Sequence, residues 1–197
     1  MKSQEWDKRY EEKELVWSRG PNQFVVAEVT GMTPGRALDL ACGEGRNALW
    51  LSEQGWHVCG TDFSEVAIDK ARARGQELGL TVDFQVADAA AEITGSYDLI
   101  LLAYLHLPRA KLAQVLAVAA AALAPLGSLL IIGHDLRNIK EGVGGPQDPD
   151  ILQSPEGLRE LLGDLQIVRS ETVFRAVEKD GQTVQALDVV VRATKKS

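Results

Sequence analysis

Cysteine is scarce: Cys42 and Cys59 are the only two in 197 residues. Two thiols do not make a disulfide scaffold in a chain of this size, so a reducing cytoplasm is the expected setting. Only three histidines occur, His57, His106 and His134, and no His/Cys/Asp group shows ligand spacing, so no metal site is expected. Basic residues are outnumbered, 21 against 28 acidic, for a net charge of -7. A protein that neutralises many phosphates is normally basic, which argues against nucleic acid and anionic membrane surfaces as partners. A long unbroken apolar run is also missing. The best candidate, "LAQVLAVAAAALAPLGSLLIIG", is interrupted by Pro125 and Gly127 and changes from Ala-rich to Leu/Ile-rich, as a helix followed by a strand would. The amino terminus, "MKSQEWDKRYEEKELVW", is charged and has no segment of signal-peptide type.

The composition, 45% hydrophobic and 25% charged, is that of a globular protein, and the length suits one domain, 1–197. "PNQFVVAEVTGM" reads as a short helix with Pro21 in its first turn. Strands are then expected at 36–41, 56–62, 81–88, 97–104 and 127–135. Helices alternate with them: "GRNALWLSEQG", a helix from the N-cap Ser64 to Gly79, and "RAKLAQVLAVAAAALAP" ended by Pro125. A polar, glycine- and proline-rich segment at 136–153 precedes a short helix around "PEGLRELLG". The carboxyl end is two strand-like runs around Asp180-Gly181, a hairpin signal. Alternating strands and helices predict a mostly parallel sheet covered on both faces, with an antiparallel hairpin added last.

Ligands of such sheets bind outside the carboxyl ends of the strands. There, "LDLACGEGRNALWL" turns sharply through Gly43 and Gly45, and Asp62 lies 17 residues past Gly45 at the end of the next strand. Taken alone, Gly43-Glu44-Gly45-Arg46-Asn47-Ala48 fits the dinucleotide pattern and allows a nicotinamide-dependent oxidoreductase. Two further acids favour another ligand. Asp39 precedes the turn and would repel a pyrophosphate but attract an amino group. Asp88, at the end of the third strand, suits an exocyclic amine. Asp39, Asp62 and Asp88 form an acidic crescent fit for a cationic, hydroxyl-bearing ligand.

"LDLACGEGRNALWL", "VCGTDFS", "FQVADAA" and "YDLILLAYLHLP" together resemble the successive motifs of class I S-adenosylmethionine-dependent methyltransferases, best over residues 36–134. "WDKRY" followed by "VW" makes the chain similar to the tellurite-resistance and thiopurine-type small-molecule enzymes. The resemblance implies a Rossmann-like, doubly wound α/β fold with a seven-stranded sheet, and S-adenosylmethionine as cofactor with S-adenosylhomocysteine as product. It implies that the turn of Ala41, Cys42, Gly43, Gly45 and Asn47 meets the methionine portion, with Asp39 facing its amino group. Ala41 stands where the family usually has a glycine. Asp62 would take the ribose hydroxyls, Phe63 would pack against the adenine, Ser64 beside them would also bind the cofactor, and Asp88 and Ala89 would receive the adenine edge. Leu102 would contribute backbone near the sulfonium. Residues 1–20, with Tyr10 and Trp17, would cover the cofactor, and 136–153 is a candidate lid with hinge glycines.

His106 and His134 follow strands on the ligand side and are the candidate catalytic residues, the alternative being that they anchor loops. His57 lies at the far end of its strand and is expected to be structural. Cys42 is expected to fill a tight turn rather than react. The Asp/Asn/Ser-Pro-Pro-aromatic tetrapeptide of base-amino methylation is absent, "AYLH" standing there instead, so a small-molecule acceptor is expected. A non-catalytic S-adenosylmethionine-binding sensor is the alternative.

Overall fold

The computed structural model describes residues 3–12, 15, 16 and 18–197. Seven strands form one sheet: β1 (Arg36–Leu40), β2 (His57–Asp62), β3 (Asp83–Val86), β4 (Tyr97–Ala103), β5 (Leu123–His134), β6 (Gln166–Lys179) and β7 (Gln182–Thr194). Their order is β3-β2-β1-β4-β5-β7-β6, with β7 antiparallel to both its neighbours and the remaining pairs parallel. The hairpin turn at Asp180 and Gly181 has positive φ at both residues (52° and 75°), which matches the strand twist.

One face carries α2 (Gln23–Val29), α3 (Arg46–Glu53) and α4 (Glu65–Leu78), which bury Val25, Leu49, Leu51, Ile68 and Ala71 against the sheet. The other carries α5 (Arg109–Ala122) and α7 (Pro155–Leu161), burying Leu112, Val115, Leu116 and Leu158. The helix after β1 and the helix after β4 thus leave on opposite faces although the two strands are neighbours. That is the topological switch point, and it opens a crevice above Leu40 and Leu102. No helix joins β3 to β4, and a cavity of about 480 Å³ lies on that side of the sheet, lined by Leu38, Cys59, Thr61, Asp88 and Tyr97 among others.

Three local expectations need correction. Pro21 lies outside α2 rather than in its first turn: Asn22 is the N-cap, its Oδ1 accepting from the Phe24 N–H at 2.8 Å. The helix expected to run to Pro125 ends at Ala122, because Leu123 already pairs with Tyr97 as the first residue of β5. The residue before a proline is also pushed out of the helical region, which favours the early exit. Finally, β3 is only four residues long, so Asp88 stands in the connection beyond it.

Segment 136–153 is not a bare loop. It contains α6 (Asn138–Glu141) and a 3-10 turn (Pro149–Ile151), and its ends are zipped by an Asp135–Gln153 bridge. Asn138 pins it to the hairpin, its Oδ1 accepting from the Leu187 N–H at 2.7 Å.

Candidate active site

The turn after β1 is held open by backbone geometry. Ala41, Gly43 and Gly45 have φ of 58°, 55° and 76°. The left-handed conformation at Ala41 costs roughly 1–2 kcal/mol that a glycine would not. Gly45 caps α3 without a side chain, and the structure gives it a packing reason: a Cβ there would lie 2.7 Å from the Phe84 ring. Asp62 ties the turn to the next strand, accepting from the Gly43 N–H through Oδ2 and from the Ser64 N–H through Oδ1, both at 2.9 Å. Burial pushes its carboxyl upward and these two hydrogen bonds oppose the push. Ser64 is fully buried and caps α4, accepting from the Ala67 N–H at 3.2 Å. Cys42 is packed in the core, where burial drives its thiol well above the ordinary range. It is an inert filler at neutral pH.

Asp39 is 1% exposed, and its Oδ2 has no hydrogen-bond partner among the described residues. Burial lifts its carboxyl to about 7, opposed by the Arg46 guanidinium and the Ala48 N–H. Asn47 is buried and accepts from the Asn22 N–H at 2.9 Å. Phe63 is half-buried beside this turn. Asp88 is exposed, its Oδ1 accepting from the Ala90 N–H at 2.8 Å and its Oδ2 3.5 Å from Lys111. Ala89 packs on the core, and Leu102 is buried between β1 and β5.

The amino-terminal segment reaches the same place. Helix α1 (Ser3–Glu11) brings Asp7 to accept from the Ser64 hydroxyl, and Lys70 Nζ donates to the Tyr10 carbonyl at 2.6 Å. Val16 N–H donates to Glu44 Oε2 at 3.0 Å, and Tyr10 is 3% exposed. Trp17, also expected in this cover, lies outside the described residues.

A second cluster stands at the ends of β4 and β5. The His106 and His134 rings are stacked, 5.1 Å apart and 3° from parallel, with the Tyr104 ring 4.9 Å from His134. His106 Nε2 accepts from the His134 backbone N–H at 3.4 Å, and burial, then His134, depresses its pKa to about 4. His106 is therefore neutral, with one nitrogen committed to the backbone. His134 Nδ1 lies 2.9 Å from Asp188 Oδ1. Asp188 is fully buried and also accepts from Arg175 Nε (2.6 Å) and the Tyr104 hydroxyl (2.7 Å). Burial opposes its ionisation, but those three hydrogen bonds prevail and hold its carboxyl below the ordinary range. Asn22 links the two clusters, its Nδ2 donating to Tyr104 Oη at 3.3 Å. Asp188, Arg175 and Tyr104 did not emerge from the sequence. The available signal was an aspartate standing alone in the apolar run "ALDVVV".

Residues 37–127 match the family described as a methyltransferase domain. A 2-heptyl-1-hydroxyquinolin-4(1H)-one methyltransferase from Mycobacteroides abscessus is 40% identical over 85 residues, 42% of this chain and 37% of that protein. The chain spans well under half the length of the curated relatives it matches. Among solved structures, TehB from Haemophilus influenzae aligns with TM-score 0.75 at 21% identity, over 99% of this chain and 68% of that one. A structure from work on converting a disulfide bond into a thioacetal group during echinomycin biosynthesis aligns with TM-score 0.82 at 22% identity, over 98% and 91%. Residues 37–127 are thus similar to a methyltransferase domain, and nearly the whole chain shares the fold of these two solved structures. The expected α/β architecture and family are thereby borne out, and the nicotinamide-dependent alternative loses its support. Among the described residues, the methyltransferase domain and its flanks have no helix long and apolar enough to cross a membrane.

Proposed function

We propose that this protein transfers a methyl group from S-adenosylmethionine to a small molecule in the cytoplasm. The observation that carries the reading is Asp39 Oδ2, a buried acceptor without a partner beside a turn made of left-handed residues. An unpaired buried acceptor costs stability unless a ligand completes it, and the amino group of a methionine moiety would do so. The other residues fit the rest of that ligand. Asp62 keeps lone pairs for the ribose hydroxyls, Phe63 offers a half-buried ring to the adenine, and Asp88 with Ala89 stands where the base edge would come. Leu102 closes the floor, and Tyr10 with the start of the chain covers the top. When bound, the cofactor supplies an already electrophilic methyl carbon. The chain's own contribution is to position the acceptor and keep water out. A small-molecule acceptor is supported by the relative named for a hydroxyquinolinone.

Calorimetry tests the reading. S-adenosylmethionine and S-adenosylhomocysteine should bind and NAD should not. Replacing Asp62 by alanine removes hydrogen bonds from a charged group, worth roughly 1.5–3 kcal/mol, so affinity for S-adenosylhomocysteine should fall at least about tenfold. Tight NAD binding with no heat from S-adenosylhomocysteine would sink the proposal.

A further inference from the structure

Methyl transfer makes different demands on different acceptors. An amine lone pair or a thiolate attacks without help, whereas a hydroxyl is a poor nucleophile until it gives up its proton. The second cluster is built to take one. His134 Nδ1 is fixed on the buried carboxylate of Asp188, and Nε2 has no hydrogen-bond partner among the described residues. Asp188 is itself held by Arg175 and the Tyr104 hydroxyl, one from the hairpin and one from the end of β4. A carboxylate gripping one imidazole nitrogen selects the tautomer whose other nitrogen is basic, and it stabilises the ring once protonated. Among the described residues, the charged and titratable groups facing His134 are His106, which burial keeps neutral, together with Tyr104, Asp188 and Arg175. Gly145 packs over one face of the His134 ring, where no side chain would fit. A Cβ at that position would stand 3.1 Å from Nε2, and the residue's φ of +71° favours glycine.

We infer that the acceptor is a weakly acidic hydroxyl compound of phenol type, that His134 Nε2 takes its proton, and that Asp188 is the positioning residue for that base. The inference rests on the methyltransferase reading above. The balance is simple: the hydroxyl proton goes to Nε2, and the oxygen pair forms the new carbon–oxygen bond. The methyl–sulfur pair returns to the sulfonium sulfur of the donor, leaving a neutral thioether. His106 takes no part in the proton transfer, since its Nε2 is turned to the backbone.

The test uses the full chain, alone and saturated with S-adenosylhomocysteine, and reads no turnover. Nitrogen-15 NMR of the imidazoles should place the His134 proton on Nδ1 rather than Nε2. Asp188→Asn, in a chain shown by circular dichroism to be folded, should move that proton to Nε2. 4-Nitrophenol, the probe, should bind with its ionised fraction raised at least about fivefold over free solution at a pH one unit below its own pKa. His134→Gln should bind it un-ionised. The His134→Gln arm decides the matter should Asp188→Asn fail to fold. A proton on Nε2 in the wild type, a probe that stays neutral or does not bind, or ionisation unchanged in His134→Gln would each overturn the inference. Since none of these readouts needs the sulfonium, such a failure would leave the binding of S-adenosylhomocysteine as a separate result.

Discussion

Residues 39–64 build the glycine-turn end from one continuous stretch of chain, with Asp62 reaching back 19 positions to the Gly43 N–H. The histidine end is assembled from distant pieces: Asp188 meets His134 across 54 positions and Tyr104 across 84. Both ends hold a buried acid carried on a strand, yet the two are wired in opposite ways. Asp188 is saturated with donors that force it to ionise, whereas Asp39 is left with an open oxygen that burial keeps protonated up to about 7. A satisfied carboxylate is a strut. An unsatisfied one is a place for something to bind.

The sharpest way to break this contrast is to remove the strut. Asp188→Ala strips the partner from His134, Arg175 and Tyr104 at once. Breaking a buried ion pair from one side costs roughly 3–5 kcal/mol; because Arg175 is partly exposed, we expect about 3 kcal/mol, read as a lower urea midpoint at unchanged slope. A loss within about 0.5 kcal/mol, the usual range for unremarkable surface changes, would mean that the cluster does not hold the hairpin to β5. The glycine-turn end should respond in the other direction to a smaller change. Ala41→Gly relieves a left-handed alanine but adds unfolded-chain entropy, so a net gain of up to about 1 kcal/mol is expected. A clear loss on thermal unfolding would show that Ala41 packs more than it strains.

The same contrast explains what the sequence could disclose. Local signals were legible because their partners are near in the chain: Ser64 caps α4, Gly79 ends it at φ 65°, and Asp180-Gly181 turns the hairpin. Alternation of strands and helices was enough to anticipate the sheet, and the motifs at 36–134 anticipated the family. The misreadings were also local, but tertiary pairing outweighed propensity: Leu123 joined β5 before Pro125 was reached. Gly45 carried a packing demand from Phe84, 39 positions away, that no short motif reveals. His106 and His134 were visible as strand-end histidines, but their inequality was not. Which of them keeps a free nitrogen depends on Asp188, and no spacing rule links residues so far apart.

The central claim is that Asp39 waits for a cation, and proton linkage tests it most directly. A carboxyl whose folded-state value is raised to about 7 gives the free chain stability that is full below the ordinary value of 3.8. That stability fades as pH rises through 7. At pH 6 the free protein therefore holds a proton on Asp39, and an ammonium group arriving beside it favours the carboxylate, so binding must expel that proton. Calorimetric titration with S-adenosylhomocysteine at pH 6, repeated in buffers of different ionisation enthalpy, should show close to one proton released per ligand bound. The release should vanish at pH 8, where Asp39 is already ionised, and in Asp39→Asn at pH 6. Binding at pH 6 with no proton released, or with the same release in Asp39→Asn, would contradict the account.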